Sequence, residues 1–307
     1  MMWPHLLLLI AALGALMVVL RIRFAQSPGW LMAHGKPAEA EAAVRYFLGK
    51  DVEVIAPQTS AEEPVHHHIG PDMETGEIRN RKRNKEVSGV AFGDLFKGKN
   101  LKRVIFSGIP WACEGLGVYG IGVFLPVLVM ALGLEGSSAT SGSTGVTAAF
   151  QRIINSVEIT TYINLCILPG FILGLWLINR WNHVRIQTWG FLLCAIGLIV
   201  LYMGYRFHLP VWISIVGFML FELFLNAGPH LMTFILPSQI YPVADRGEGA
   251  GLAAAIGKVG AVLGVLFIPM LLTWGGAELV LIVSIIVQII GAVVTRIVGR
   301  EVVPVSH

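Results

Sequence analysis

One lysine of the chain, Lys258, lies inside an apolar segment and has apolar or small residues on both sides for several helical turns. A charged side chain at that depth is costly, so it should face a polar cavity or have a partner. In a wet cavity the ammonium group would attract phosphate or another anion, and Tyr119 and Asn226 could add neutral hydrogen bonds. Two alternatives stay open: a structural ion pair with Glu222 or Glu114, or a side chain that extends to the nearby polar loop.

A second group of polar side chains lies on another apolar segment. Trp111, Gly115 and Tyr119 follow each other at intervals of four residues, which places them on one face of a helix. Glu114 is adjacent to this face but rotated from it by about 100°. Ionisable side chains within membrane segments are functional candidates by default, so Glu114 and Glu222 join Lys258 as candidates.

The composition indicates a membrane protein that crosses the bilayer several times. The chain has 307 residues, of which 55% are hydrophobic and 13% charged, and its mean hydropathy is +0.72. A soluble domain carries about 25% charged residues. No nucleophile–base pair, phosphate loop or metal-ligand spacing occurs outside the triplet His66–His68, which a solvated linker explains better than a metal site. We therefore expect no enzyme, cofactor or metal.

Seven apolar segments are long enough to span a membrane. A long polar segment, residues 23–103, follows the first and contains a short surface helix from Pro37 to Leu48. A loop rich in Gly, Ser and Thr, residues 133–159, follows the second. The seven segments are residues 3–20, 104–132, 160–178, 188–205, 211–236, 250–272 and 278–298.

The distribution of basic residues predicts the orientation. If residue 23 is cytoplasmic, the cytoplasmic regions hold all but three of the 22 lysines and arginines, the exceptions being Arg152, Arg206 and Lys258. The positive-inside rule then places the N-terminus outside and the C-terminus in the cytoplasm of an inner or plasma membrane. The basic residues of the linker, 79–85, lie near the membrane, so anionic lipid is a nearer partner for them than nucleic acid.

Seven spans also describe a seven-helix receptor, so the motifs have to decide the function. Four of them occur in order: AQSPGWL at residues 25–31 with Gly35-Lys36 and Glu39-Ala40, NRWNHVR at 179–185, PSQIYP at 237–242 with Arg246-Gly247, and NAGP at 226–229 with GKVGA at 257–261. They resemble the PESPRWL, D-R-x-G-R-x-R, P-x-E-x-F-P-x-x-x-R-G and NFGPN/SGKVGA motifs of the major facilitator superfamily. The resemblance is to its sugar-porter and phosphate:proton-symporter branches.

The resemblance implies an all-α membrane protein with seven transmembrane helices. Residues 1–22 correspond to helix six of a twelve-helix transporter, and residues 104–300 form its C-terminal six-helix bundle of 3+3 inverted repeats. Residues 23–103 are the cytoplasmic linker, and 301–307 are a cytoplasmic tail. Helices one to five, which supply half of the cavity wall in such transporters, have no counterpart in the chain.

The resemblance also assigns roles to residues. Lys258, Trp111, Tyr119 and Asn226 are the expected solute-binding residues. The phosphate symporters carry W-x3-D-x3-Y on this helix, where the acid serves proton coupling and anion binding. Gly115 stands at the position of that acid, which leaves Glu114 and Glu222 as the proton-coupling candidates.

Arg180, Arg185 and Arg246 fall in the cytoplasmic loops that latch the helices of such transporters in one access state. Simple anchoring by positive charge at helix ends explains them equally well. The chain departs from the family pattern at several of these positions, and each change removes or alters a charge, so a latch built from ion pairs would be weakened. The departures are Gln26, Asn179, Asn182, His183 and Gln239.

The implied function is secondary active transport of a small polar solute, with phosphate, a sugar or an organic acid as candidates and proton coupling in the parent protein. The alternative is a truncated, non-transporting membrane interaction protein or a decayed fragment. The expected partners are the solute, an anion among the candidates, a proton, the lipid bilayer, and either a separate N-terminal transporter half or a second copy of the chain. We expect no nucleic-acid partner.

Overall fold

The computed structural model describes residues 11–12, 14–19, 28, 31, 36–48, 92–134, 145–242 and 245–302. Contacts divide the chain into two units, residues 1–89 and 90–307. In the first unit, helix α1 (Pro37–Leu48) confirms the predicted surface helix, and its buried Ala40 and Ala43 pack with Leu31. The linker from 51 to 91 with the histidine triplet, most of the first predicted span and the tail from 303 lie outside the described residues.

The described part of the second unit is helical and contains no strand. After a short 3-10 helix (Phe92–Phe96), the first membrane-length helix changes from α to π geometry in its second half. The elements are α2 (Gly98–Leu116), the π-helix (Gly117–Gly122), α3 (Leu125–Ala131), α4 (Val146–Asn164), α5 (Ile167–Ile178), α6 (His183–Arg206), α7 (Val211–Ala227), α8 (Pro229–Ile240) and α9 (Arg246–Val302).

Five helical stretches of the described chain are long and apolar enough to cross a membrane, and the protein is an integral multi-pass membrane protein. The stretches are Gly98–Gly122, Val146–Ile178, His183–Arg206, Val211–Ile240 and Arg246–Val302. The last has 57 residues, about 85 Å of helix, which is far longer than one bilayer crossing. It is interrupted at Gly275 and Gly276, and the φ of +64° at Gly276 is accessible mainly to glycine. We call residues 246–274 α9a and residues 277–302 α9b.

The predicted loop at residues 133–159 is wrong in its second half, because α4 begins at Val146. The polar residues of this helix bond to one another at a spacing of four. Gln151 Nε2 donates to Asn155 Oδ1 at 3.0 Å, and Tyr162 Oη donates to Glu158 Oε1 at 3.1 Å. Such pairs stabilise a helix through a stretch whose low hydropathy suggested a loop.

Small residues let α2 and α9a pack backbone to backbone. A Cβ atom at Gly264 would lie 2.9 Å from the amide nitrogen of Gly120, and one at Gly260 would overlap the carbonyl oxygen of Ala112. Contacts advance in the same direction along both helices, so α2 and α9a run parallel. This is the close approach that small-xxx-small spacing permits in membranes.

The helix α9b runs antiparallel to α6. A Cβ atom at Gly291 would lie 2.8 Å from Phe191, and one at Gly299 would lie 2.8 Å from Val184 Cγ1. The beginning of α6 therefore meets the end of α9b. The side chain of Lys102, near the start of α2, forms an ion pair with Glu301 at the same end.

Two apolar clusters lie toward opposite ends of the second unit. One contains Phe106 on α2 and Met232 on α8, and the other contains Ile121 in the π-helix and Phe218 on α7. Polar side chains of the same helices, among them Glu114, fall between these clusters along the chain. A smaller apolar cluster of Cys113, Phe191 and Ala292 lies beside Glu114, so the region between the two large clusters holds both polar and apolar side chains.

We predict that Gly260→Ala destabilises the fold by about 1–3 kcal/mol, because the added methyl group meets the backbone of Ala112, which cannot move aside as a side chain could. The measurement is the thermal unfolding of the purified chain in detergent.

The matched control is Gly251→Ala on the same helix, where a Cβ atom meets nothing within 4 Å. This variant should be neutral or slightly stabilising, since alanine is the better helix former. Equal unfolding temperatures for the two variants would contradict the packing described for α2 and α9a.

Candidate functional site

Lys258 has a tyrosine, and no acid, as its partner. Its Nζ donates to Tyr119 Oη at 3.0 Å and lies 4.8 Å from the centroid of the Tyr119 ring. The ammonium group thus combines a hydrogen bond with a cation–π contact. Tyr119 belongs to the π-helix, a geometry that often occurs at functional sites. Among the described residues, neither Glu114 nor Glu222 forms an ion pair with Lys258, so the structural pairs considered above are not formed.

Trp111 and Gly115 face α9a as Tyr119 does. The indole of Trp111 lies against Gly257, where a Cβ atom would be 2.6 Å from Trp111 Cδ1 and 3.1 Å from Nε1. A Cβ atom at Gly115 would be 2.6 Å from the carbonyl oxygen of Gly257 and 3.1 Å from the nitrogen of Ala261. An aspartate therefore does not fit at position 115 without separating the two helices.

The acid of this helix, Glu114, points to α8. It is 3% exposed, and its Oε1 shares a hydrogen bond with Nδ1 of His230 at 2.5 Å. His230 was missed in the sequence analysis, although an ionisable residue inside a membrane segment is a functional signal. It stands eight residues after Glu222 and four after Asn226, a spacing that could have drawn attention to it.

Aromatic rings surround His230. The Phe171 ring is 5.6 Å and the Phe234 ring 5.7 Å from the imidazole, both edge to face, and Trp111 packs on Phe234 at 5.0 Å. These rings come from α2, α5 and α8. They connect the Glu114–His230 pair to the Trp111 indole, which lies against Gly257, with Phe234 60% exposed at the edge.

Glu222 and Asn226 form a separate pair on α7. Asn226 Nδ2 donates to the backbone oxygen of Glu222 at 2.8 Å and to its Oε2 at 3.4 Å. Asn226 is 7% exposed, and Glu222 is its only hydrogen-bond partner among the described residues. No hydrogen bond joins the Asn226 amide to Lys258 or Tyr119 among the described residues.

The described residues therefore form two polar centres. Lys258 with Tyr119 offers hydrogen-bond donors, and Glu114 with His230 joins a carboxyl group to an imidazole. No group of three or more His, Cys, Asp or Glu side chains with metal-binding geometry occurs in the described part of the chain.

The loops of the predicted latch contact each other through two of the substituted positions. His183 Nδ1 lies 2.8 Å from Oε1 of Gln239, which joins the start of α6 to the end of α8. Arg180 stacks over Trp176 on its own helix end, 4.2 Å from the ring centroid. Arg246 is exposed at the start of α9. A hydrogen bond to the neutral side chain of Gln239 thus joins the loops, in place of the ion pair that the family pattern implies.

Comparisons with known proteins agree with one another. The sequence profile of the family described as Sugar (and other) transporter matches residues 1–305. The repressible high-affinity phosphate permease of Neurospora crassa is 25% identical over 76% of this chain and 41% of the permease. The inner membrane metabolite transport protein YgcS of Escherichia coli is 26% identical over 94% of this chain and 54% of YgcS. These relatives are transporters and not enzymes.

A solved structure shares the fold. The major facilitator superfamily proton:xylose symporter XylE, solved with 6-bromo-6-deoxy-D-glucose, superimposes with a TM-score of 0.56 at 19% identity. The match covers 94% of this chain and 54% of XylE. The chain spans about half the length of the relatives that it matches.

We predict that Glu114 and His230 are energetically coupled. His230→Leu leaves a buried carboxyl group without its partner, which costs about 1–3 kcal/mol. Glu114→Leu together with His230→Leu removes both polar groups and should recover part of that loss.

The measurement is a double-mutant cycle of unfolding free energies for the two single variants and the double variant. Strictly additive losses would show that the two side chains do not interact in the folded protein.

Proposed function

The chain belongs to the sugar (and other) transporter family of the major facilitator superfamily, and we propose that it binds a small anion at Lys258 as part of a secondary transporter. The observation that carries this proposal is the Lys258–Tyr119 pair. Lys258 is exposed, its hydrogen-bond partner is neutral, and no described carboxylate neutralises it. An oxyanion would satisfy both the ammonium group and the tyrosine hydroxyl proton.

The donors around the site favour an oxyanion over a neutral sugar. Trp111 Nε1 lies beside Gly257, directly before Lys258, and has no hydrogen-bond partner among the described residues. Lysine, tyrosine and indole all donate, and phosphate presents several acceptor oxygens to them. Several relatives, including the Neurospora permease, are named as phosphate transporters. We therefore place phosphate first among the candidate solutes, before an organic acid or a sugar.

Asn226 has no hydrogen bond to Lys258 or Tyr119 in the described structure, and its Nδ2 is bonded to Glu222. In the proposal its amide exchanges Glu222 for the solute held by Lys258. Alternating access in this superfamily moves helices around a central site, so such a change of partner is compatible with the proposal.

The proposed topology has seven spans, with the last six arranged as 3+3 inverted repeats and residues 1–22 as the preceding helix. The break at Gly275 and Gly276 supports counting α9a and α9b as two spans. The N-terminus is outside and the C-terminus cytoplasmic in this proposal, with residues 23–103 as a cytoplasmic linker, 104–300 as the bundle and 301–307 as a tail. Arg180, Arg185 and Arg246 then lie at the cytoplasmic end.

We propose the Glu114–His230 pair as the proton-coupling group. In this proposal Glu114 replaces the aspartate of the family motif, which does not fit at the position of Gly115. The imidazole of His230 is within hydrogen-bond distance of Glu114 and can donate or accept the proton. Glu222 remains a second candidate on the neighbouring helix.

The test of solute binding uses the full chain together with a co-expressed N-terminal transporter half in proteoliposomes. We predict that Lys258→Ala abolishes uptake of radioactive phosphate, while Lys258→Arg retains part of it because the charge remains. Lys102→Ala serves as the control, since it removes the same charge at the surface pair with Glu301 and should leave uptake unchanged.

Wild-type uptake by Lys258→Ala would reduce Lys258 to a structural role. Liposomes with the chain alone form a further arm. If no class of solute is taken up with or without the N-terminal transporter half, the chain is better explained as a non-transporting membrane protein.

The test of proton coupling compares two assays, exchange of phosphate across the membrane and accumulation of phosphate against its gradient. We predict that Glu114→Gln keeps exchange of phosphate between two equal pools but loses uphill uptake driven by a pH gradient, because only the latter needs the proton site. Glu248→Gln, an exposed acid at the start of α9, is the control. Loss of exchange and accumulation to the same extent would argue against a coupling role.

A further inference from the structure

Two arginines line a cleft between α6 and α9b. Lys258 lies on another helix segment, α9a, which packs against α2. The cleft has a volume of about 350 Å³, within the size range of small-molecule sites of roughly 300–1,000 Å³. Arg185 and Arg296 supply its charge, and Thr188, Trp189 and Leu192 complete its walls.

Both arginines lie at the same end of the bundle. Arg185 is in the first turn of α6, and Arg296 is near the end of α9b, where Val184 meets Gly299. This is also the end where Lys102 pairs with Glu301. In the proposed orientation it faces the cytoplasmic leaflet, whose anionic lipids attract basic side chains.

Neither guanidinium has a protein partner in the part of the chain that the structure describes. No carboxylate there forms an ion pair or hydrogen bond with Arg185 or Arg296, and both side chains are exposed. The hydroxyl of Thr188 donates to the backbone oxygen of Val184 at 2.7 Å. The two guanidinium groups are therefore the charged donors left for a ligand, and they match a phosphate group in charge and geometry.

The cleft adjoins an apolar groove. Trp189, which is 52% exposed, lines both the cleft and a neighbouring groove of about 160 Å³. The groove is lined by apolar residues of α5, α6 and α7, including Leu173, Leu177 and Leu193. Tryptophan is typical of the membrane–water interface. A ligand with a phosphate group at one end and a hydrocarbon chain at the other fits this arrangement, whereas a free phosphate ion would use only half of it.

We propose that the cleft between α6 and α9b binds the phosphate of an anionic phospholipid headgroup through Arg185 and Arg296, with an acyl chain passing Trp189 into the apolar groove. This site is independent of the solute that the transporter carries.

The experiment measures lipid retained by the full chain after release from nanodiscs of equal parts phosphatidylglycerol and phosphatidylcholine, by native mass spectrometry. We expect Arg296→Gln to lower the ratio of bound phosphatidylglycerol to phosphatidylcholine by about fivefold, the factor for one basic side chain at an anionic surface. Arg185→Gln should have a similar effect.

The matched control is Arg300→Gln, which lies one turn from Arg296 and removes the same charge at the same end but does not line the cleft. The ratio should stay at the wild-type value. Equal losses for Arg300→Gln and Arg296→Gln would overturn the proposal in favour of general surface charge.

A second arm distinguishes the source of the phosphate. Inorganic phosphate or a soluble glycerophosphate headgroup, added at millimolar concentration, should not displace the bound phosphatidylglycerol, because neither fills the groove. Full displacement by inorganic phosphate would assign the cleft to a free anion and not to lipid.

Discussion

The close contact between α2 and α9a is the constraint on which the proposed site depends. Glycine and alanine at the crossing bring the two backbones together, so that the side chains at its edge are placed by the helices themselves. Trp111 lies over Gly257, and Tyr119 reaches Lys258 from the π-helix that follows α2. A wider separation of these helices would remove both contacts at once.

The same contact determines where an acid can be. The carbonyl oxygen of Gly257 occupies the space that a side chain at position 115 would need. The aspartate of W-x3-D-x3-Y therefore has no room there. Glu114, one residue earlier, is directed to α8 and pairs with His230. In the proposed mechanism the anion site and the proton site are thus moved apart around α2, with the aromatic rings of Trp111 and Phe234 between them.

The end of the bundle where α6 begins and α9b ends has two kinds of contact in the proposed transporter. His183 and Gln239 hold the α6 and α8 ends together without the charge pair that the family pattern supplies. Arg185 and Arg296 have no partner among the described residues and are the groups that the proposed lipid site uses. In the proposed transporter, an uncharged contact between loops with the proposed lipid site beside it suits an end that opens and closes.

Much of this protein follows from its sequence, because hydropathy and charge act locally. Composition and helical period predict the apolar segments, the helix at Pro37–Leu48 and the common face of Trp111, Gly115 and Tyr119. The family is indicated by the resemblance of four short motifs. The start of α4 was misjudged, since paired polar residues within a helix resemble a loop when read singly. The Glu222–Asn226 pair has the i, i+4 spacing of a single helix, which the sequence already offers. Only the tertiary structure decided the partners of Glu114 and Lys258, because His230 and Tyr119 lie on other helices and a helix period cannot specify which faces meet across a bundle.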